Sequence, residues 1–165
     1  MIPISSPYIN NKAKKNVLKC LNTNWISSQG EYIVKFEKSL AKYHNVKYCI
    51  VTSSCTSAIH LAIKSLNIGK GDEIICPVFT CTATNIPLLY IGAKIKFADI
   101  DPKTFNIDID SVKKLITKKT KAIVFVNYGG LPCNLSELKK IAKKNKLILI
   151  QDAAQSLGAT YQNKP

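Results

Sequence analysis

Short apolar runs rich in branched side chains alternate with segments of helical period along this chain, and that alternation restricts the fold more than any other feature. The runs are Tyr48–Thr52, Glu73–Cys76, Lys94–Ala98, Lys121–Val126 and Leu147–Ile150. Between and before them, apolar residues recur at helical spacing. Val17, Leu18 and Leu21 do so in Asn10–Leu21, and Phe36, Leu40 and Tyr43 in Tyr32–Tyr43. Further helices are predicted from Ala58 toward Asn67, from Thr82 toward Tyr90, from an Asp110 cap through Ile116, and over Ser136–Lys144. Gly92 closes the Thr82–Tyr90 helix, and Pro87 kinks or restarts it. Residues 1–9 are extended and proline-punctuated. Strands alternating with helices require crossover connections, so the expected fold is α/β, a mostly parallel sheet flanked by helices. At 165 residues the chain fits one domain.

The last run has the most informative ending. Leu147-Ile148-Leu149-Ile150 reads as a strand buried on both faces, and it delivers Gln151-Asp152-Ala153-Ala154-Gln155 where the strand must stop. In open α/β sheets ligands sit outside the carboxyl ends of the strands. A carboxylate fixed there among apolar neighbours has little water around it and requires a cation or strong donor.

Composition removes several function classes. The net charge of +14 suggests nucleic acid, yet all 24 basic residues are lysine. Arginine is the side chain suited to forked phosphate and guanine contacts, so the lysines read as solvated helix faces able to attract small anions. No apolar run approaches the ~20 residues of a membrane span, and the start lacks a signal-peptide layout, so a cytosolic protein is expected. The six cysteines form no CxxC pair, and neither His44 nor His60 stands at ligand spacing from a cysteine. They read as reduced thiols, and no metal site is predicted.

Two loops invite chemistry. Trp25-Ile26-Ser27-Ser28-Gln29-Gly30 reads as a packed loop anchor rather than a substrate rim. Ser53-Ser54-Cys55-Thr56 lies between a predicted strand and a helix, where unpaired N–H groups and the helix dipole favour an anion; plain capping by Ser or Thr accounts for the same pattern. Strand ends at Thr52, Cys76, Val126 and Gln151 are expected to share one edge, bringing three polar loops and a carboxylate together.

In sequence order, Trp25–Gly30, Thr52–Ala62, Gly71–Pro77 with Thr80–Thr84, Phe97–Asp101 and Asp152–Ala159 resemble the DegT/DnrJ/EryC1/StrS sugar aminotransferases, pyridoxal-phosphate enzymes with the aspartate aminotransferase-like fold. The resemblance covers essentially the whole chain. It implies that Asp152 pairs with the protonated pyridine nitrogen and Gln155 bonds the ring's phenolic oxygen. It implies further that backbone N–H groups of Cys55 and Thr56 hold the phosphate, and that Cys81 lies where the family stacks an aromatic on the ring. Cys81 offers no π-face, and Cys55 stands where glycine is common; donation there requires a negative φ.

The same resemblance places the Schiff-base lysine past Pro165, and no lysine present, Lys164 included, matches its position. The chain is therefore expected to be the N-terminal portion, residues 1–165, of the cofactor-binding large domain, without the small C-terminal domain. A shortened gene product, a split gene or a partial sequence would each give such a chain, with an unpaired sheet edge and poor solubility or dependence on a partner. The complete relative implied by the resemblance transfers an amino group from glutamate to a nucleotide-linked keto sugar in polysaccharide or glycoconjugate biosynthesis, as a homodimer or with a complementary chain. The alternatives are an inactive, partner-binding chain and part of a sugar dehydratase.

Overall fold

The computed structural model describes residues 2–3 and 6–165. Of the extended start predicted over residues 1–9, residues 1, 4 and 5 lie outside the described residues. The chain divides into two compact units, Met1–Val51 and Thr52–Pro165.

The first unit carries α1 (Asn11–Asn22) and α2 (Glu31–Tyr43). Asn10 caps α1 by accepting from the Ala13 N–H at 2.8 Å. A Cβ on Gly30, the residue before α2, would meet Trp25 Cδ1 at 2.9 Å, but Trp25 and Ile26 are 53% and 76% exposed, so the loop is not the packed anchor expected. Glu31 in the first turn of α2 bonds Lys19 and Lys35 at 2.6 and 2.8 Å, and these cations hold its carboxyl down at about 2.

The strand expected over Tyr48–Thr52 is not formed. The segment is extended, but no described strand pairs with it, and Tyr48 and Ile50 are 74% and 69% exposed. The Val51 N–H is taken by the Glu37 carboxylate at 2.9 Å instead of a ladder carbonyl. Composition marks such a run as fit for a sheet; only a neighbouring strand makes it one.

The second unit runs α3 (Cys55–Ser65), β1 (Glu73–Pro77), α4 (Thr82–Tyr90), β2 (Lys94–Ala98), α5 (Ile109–Leu115), β3 (Thr120–Val126), a 3-10 turn (Tyr128–Gly130), α6 (Leu135–Asn145) and β4 (Ile148–Asp152). The four strands are all parallel, in the order β2-β1-β3-β4. Alternate residues of the central strands enter two cores, as a period of two requires. Ile74, Cys76 and Val124 meet Ile59 and Ile63 of α3 and Leu88 of α4. Ile75, Ile123 and Phe125 meet Val112 of α5 and Leu138 and Ile141 of α6 on the other face. This double burial makes residues 74–77 of β1 and 122–126 of β3 unbroken apolar runs.

Three local expectations need adjustment. Among the described residues β4 pairs only with β3: Ile150 and Leu149 pack on opposite cores, but Ile148 is 39% exposed. Asp108, not Asp110, caps α5, because its carboxylate reaches the Ser111 N–H at 2.6 Å; Asp110 lies in the first turn and bonds Lys113. Pro87 lies inside α4, which continues through it as one element. No described helix is long and apolar enough to cross a membrane.

Candidate active site

Because the strands are parallel, their carboxyl ends share one edge, with Pro77 opposite Ala98 and Val126 opposite Asp152. β4 brings Asp152 to that edge and α3 starts beside it. The Asp152 side chain, in a residue only 6% exposed, has both oxygens engaged. Oδ2 accepts from the Thr84 hydroxyl at 2.7 Å; Oδ1 accepts from the Ala154 N–H at 3.0 Å and from the Cys55 thiol at 3.4 Å. The carboxylate therefore lies against the hydroxyl-rich start of α3, as the sequence predicts.

All three donors are neutral, and among the described residues no lysine or histidine lies within ion-pair distance of Asp152. A carboxylate has about four acceptor positions, so one is left open. A buried anion with neutral donors alone suits a ligand that brings a positive charge. A protonated pyridine nitrogen fits that requirement. Asp152 and burial also act on Cys55: desolvation of the sulfur first, then the carboxylate's charge and hydrogen bond, push its thiol up to about 11.

At the start of α3, Ser54 is the cap, accepting from the Ser57 N–H at 3.1 Å. Capping and anion binding are thus compatible, since the N–H groups of Cys55 and Thr56 have no acceptor among the described residues. Cys55 is not among the residues with positive φ, so the missing glycine leaves its N–H orientation intact. Cys81 occupies the cap position of α4, exposed and without a side-chain capping bond. Gln155 is held over the 3-10 turn, its Oε1 accepting from the Gly129 N–H at 2.7 Å, which leaves its Nε2 as a donor. Gly130 is needed beneath it: its φ is +85° and a Cβ would meet the Gln155 carbonyl oxygen at 3.1 Å.

Thr80 and Thr84 were not singled out from sequence, although their spacing of four at a helix start places them on one face. Thr84 is fully buried, and its hydroxyl lies 2.9 Å from that of Thr80. Asn127 was missed as well. It fastens the floor by accepting from the Cys133 N–H at 3.1 Å and donating to Ser156 at 3.2 Å.

Residues 7–165 match the DegT/DnrJ/EryC1/StrS aminotransferase family. The chain belongs to that family. A GDP-perosamine synthase of Caulobacter vibrioides is 40% identical over 99% of the chain and 44% of its own length. Among solved structures, the aminotransferase from Psychrobacter cryohalolentis superposes with a TM-score of 0.92 at 34% identity, covering 98% of this chain and 42% of that one. An E. coli GDP-4-keto-6-deoxy-D-mannose-3-dehydratase with bound hydrated PLP gives 0.92 at 37% identity, covering 99% and 43%. This DegT/DnrJ/EryC1/StrS chain thus spans less than half the length of these relatives, and the fold expected from its sequence is the fold they share.

Proposed function

We propose that the chain is the N-terminal part of the cofactor-binding large domain of a pyridoxal-phosphate enzyme acting on nucleotide-linked keto sugars, with glutamate as amino donor in the complete protein. The observation that carries this reading is Asp152, a buried carboxylate surrounded by neutral donors, with no cation beside it among the described residues. Pyridoxal phosphate, when bound, supplies an electron sink for the substrate carbon. Asp152 would keep a proton on the ring nitrogen, and Cys55 and Thr56 would present N–H groups to the phosphate. Gln155 would donate to the phenolic oxygen through Nε2, and Cys81 would pack beside the ring as an apolar wall. A second copy or a complementary chain would complete the site.

Dehydration of the sugar is a second reading, favoured by the dehydratase among the similar structures. The two separate on products. Incubating the complete protein with a GDP-linked 4-keto sugar and glutamate should yield an amino sugar and 2-oxoglutarate; a deoxy sugar would favour the dehydratase. Asp152→Asn should lower turnover by at least about a hundredfold, given the ~3–5 kcal/mol typical of breaking a buried charge pair. Unchanged turnover in that variant would remove Asp152 from the site.

A further inference from the structure

Threonine inside a helix usually returns its hydroxyl to the carbonyl four residues back. Thr84 does not: its hydroxyl crosses from α4 to Asp152, 68 positions away in sequence. It is also the one polar side chain of the site with no exposure at all. A hydroxyl has one proton. With Asp152 ionised, as the reading of it as the ring's counter-charge requires, that proton lies on the 2.7 Å contact to Oδ2. Thr80, at 2.9 Å, must then donate to Thr84, which gives a directed chain from Thr80 through Thr84 to Asp152. Each donor in such a chain strengthens the next.

The two carboxylate oxygens are thereby held by different parts of the unit. Oδ2 is tied to α4, and Oδ1 to the turn after β4 and the start of α3. Together they restrain the carboxylate plane from both sides of its bond to the chain; the Thr84 contact is the shortest of the three, and without it only an amide at 3.0 Å and a weak thiol donor at 3.4 Å oppose that rotation.

We infer that Thr84, polarised by Thr80, is a positioning residue that fixes the plane of Asp152 and so its hold on the proton of the cofactor's ring nitrogen. This rests on the proposed role of Asp152, and the test separates the two. Thr84→Val keeps the shape and removes the hydroxyl, Thr84→Ser keeps the hydroxyl, and Thr80→Val breaks the chain at a half-buried position that burdens folding less. Pyridoxal phosphate labelled with 15N in the ring is titrated into the complete protein, unmodified and carrying each substitution, and its affinity and the pH dependence of the 15N shift are read.

Thr84→Val should bind up to about tenfold more weakly, because Asp152 is no longer oriented before the cofactor arrives, and its ring nitrogen should lose the proton at lower pH. Thr84→Ser should restore both properties, and Thr80→Val should shift both in the same direction by less. If Asp152→Asn abolishes the 15N signature while Thr84→Val and Thr80→Val match the unmodified protein, the inference is overturned and the role of Asp152 stands. If Asp152→Asn leaves the signature unchanged, or the unmodified protein takes up no cofactor, the role of Asp152 falls and the inference with it.

Discussion

The contact between Cys55 and Asp152 can be tested without any cofactor, through the chemistry of the thiol. Partial burial of the sulfur, in a residue that is otherwise exposed, and the neighbouring carboxylate raise Cys55 from 9.0 to about 11. At about pH 8 a thiol at the lower value is roughly one-tenth thiolate, and one at the higher value roughly one-thousandth. The more basic thiolate is intrinsically more nucleophilic, by about eightfold for that difference, so the two effects partly cancel. Alkylation of Cys55 in the native chain should therefore run roughly ten times slower than in the urea-unfolded chain. Its rate should still climb about tenfold between pH 9 and pH 10, where the unfolded thiol is levelling off.

The perturbation is Asp152→Asn, which removes the charge and weakens the acceptor while leaving the burial in place. Because burial is the largest of the three causes, the thiol should move only part of the way back toward 9.0. Iodoacetamide labelling, followed on the Cys55 peptide by mass spectrometry, reads both rates. If the variant keeps the unmodified protein's rate and pH profile, the thiol does not lie against the carboxylate, and the start of α3 is not beside the end of β4.

Two further outcomes concern stability. Cys76 and Cys133 are buried, and burial pushes each thiol up to about 12. A folded-state value above the unfolded one means that their contribution is fully present below about pH 9 and is lost as pH rises toward 12, by at most ~1.4 kcal/mol per pH unit for each group. Urea midpoints should therefore hold steady up to about pH 9 and then fall, with a shallower fall in Cys76→Ala. Leu88, with no exposure, fills the core between α3, α4 and the sheet, so Leu88→Ala should cost about 2–5 kcal/mol in urea denaturation; a change below ~1 would mean that this core is not closed.

Which parts were legible follows from what each depends on. β1 and β3 were plain in the sequence because burial on both faces needs only an unbroken apolar run. Tyr48–Thr52 has the same composition and forms no strand, since a ladder is a property of two segments and a run describes one. The cap of α5 was misplaced by two residues because Asp108 and Asp110 carry identical chemistry, and only the reach to the Ser111 N–H distinguishes them. Asp152, Cys55 and Thr56 stand at an element's end, where polarity interrupts an apolar pattern and is visible. Thr84 sits inside a helix, where a threonine looks unremarkable, and its partner is 68 positions away.

The same asymmetry explains the construction of the site. A lysine beside Asp152 would have satisfied the carboxylate and, on the proposed reading, left nothing to attract a cationic ring. Neutral donors do something different: a hydroxyl, an amide and a thiol fix the orientation of the anion and offset part of its desolvation while leaving its charge in place. They come from α4, the turn after β4 and the start of α3, so no single element determines the geometry. A parallel sheet suits this purpose because it brings the ends of all its strands, and the loops and helices beside them, to one edge. The folded scaffold thus holds a carboxylate with no cationic partner among the described residues at a mostly buried place, and on the proposed reading that is where a positively charged group binds.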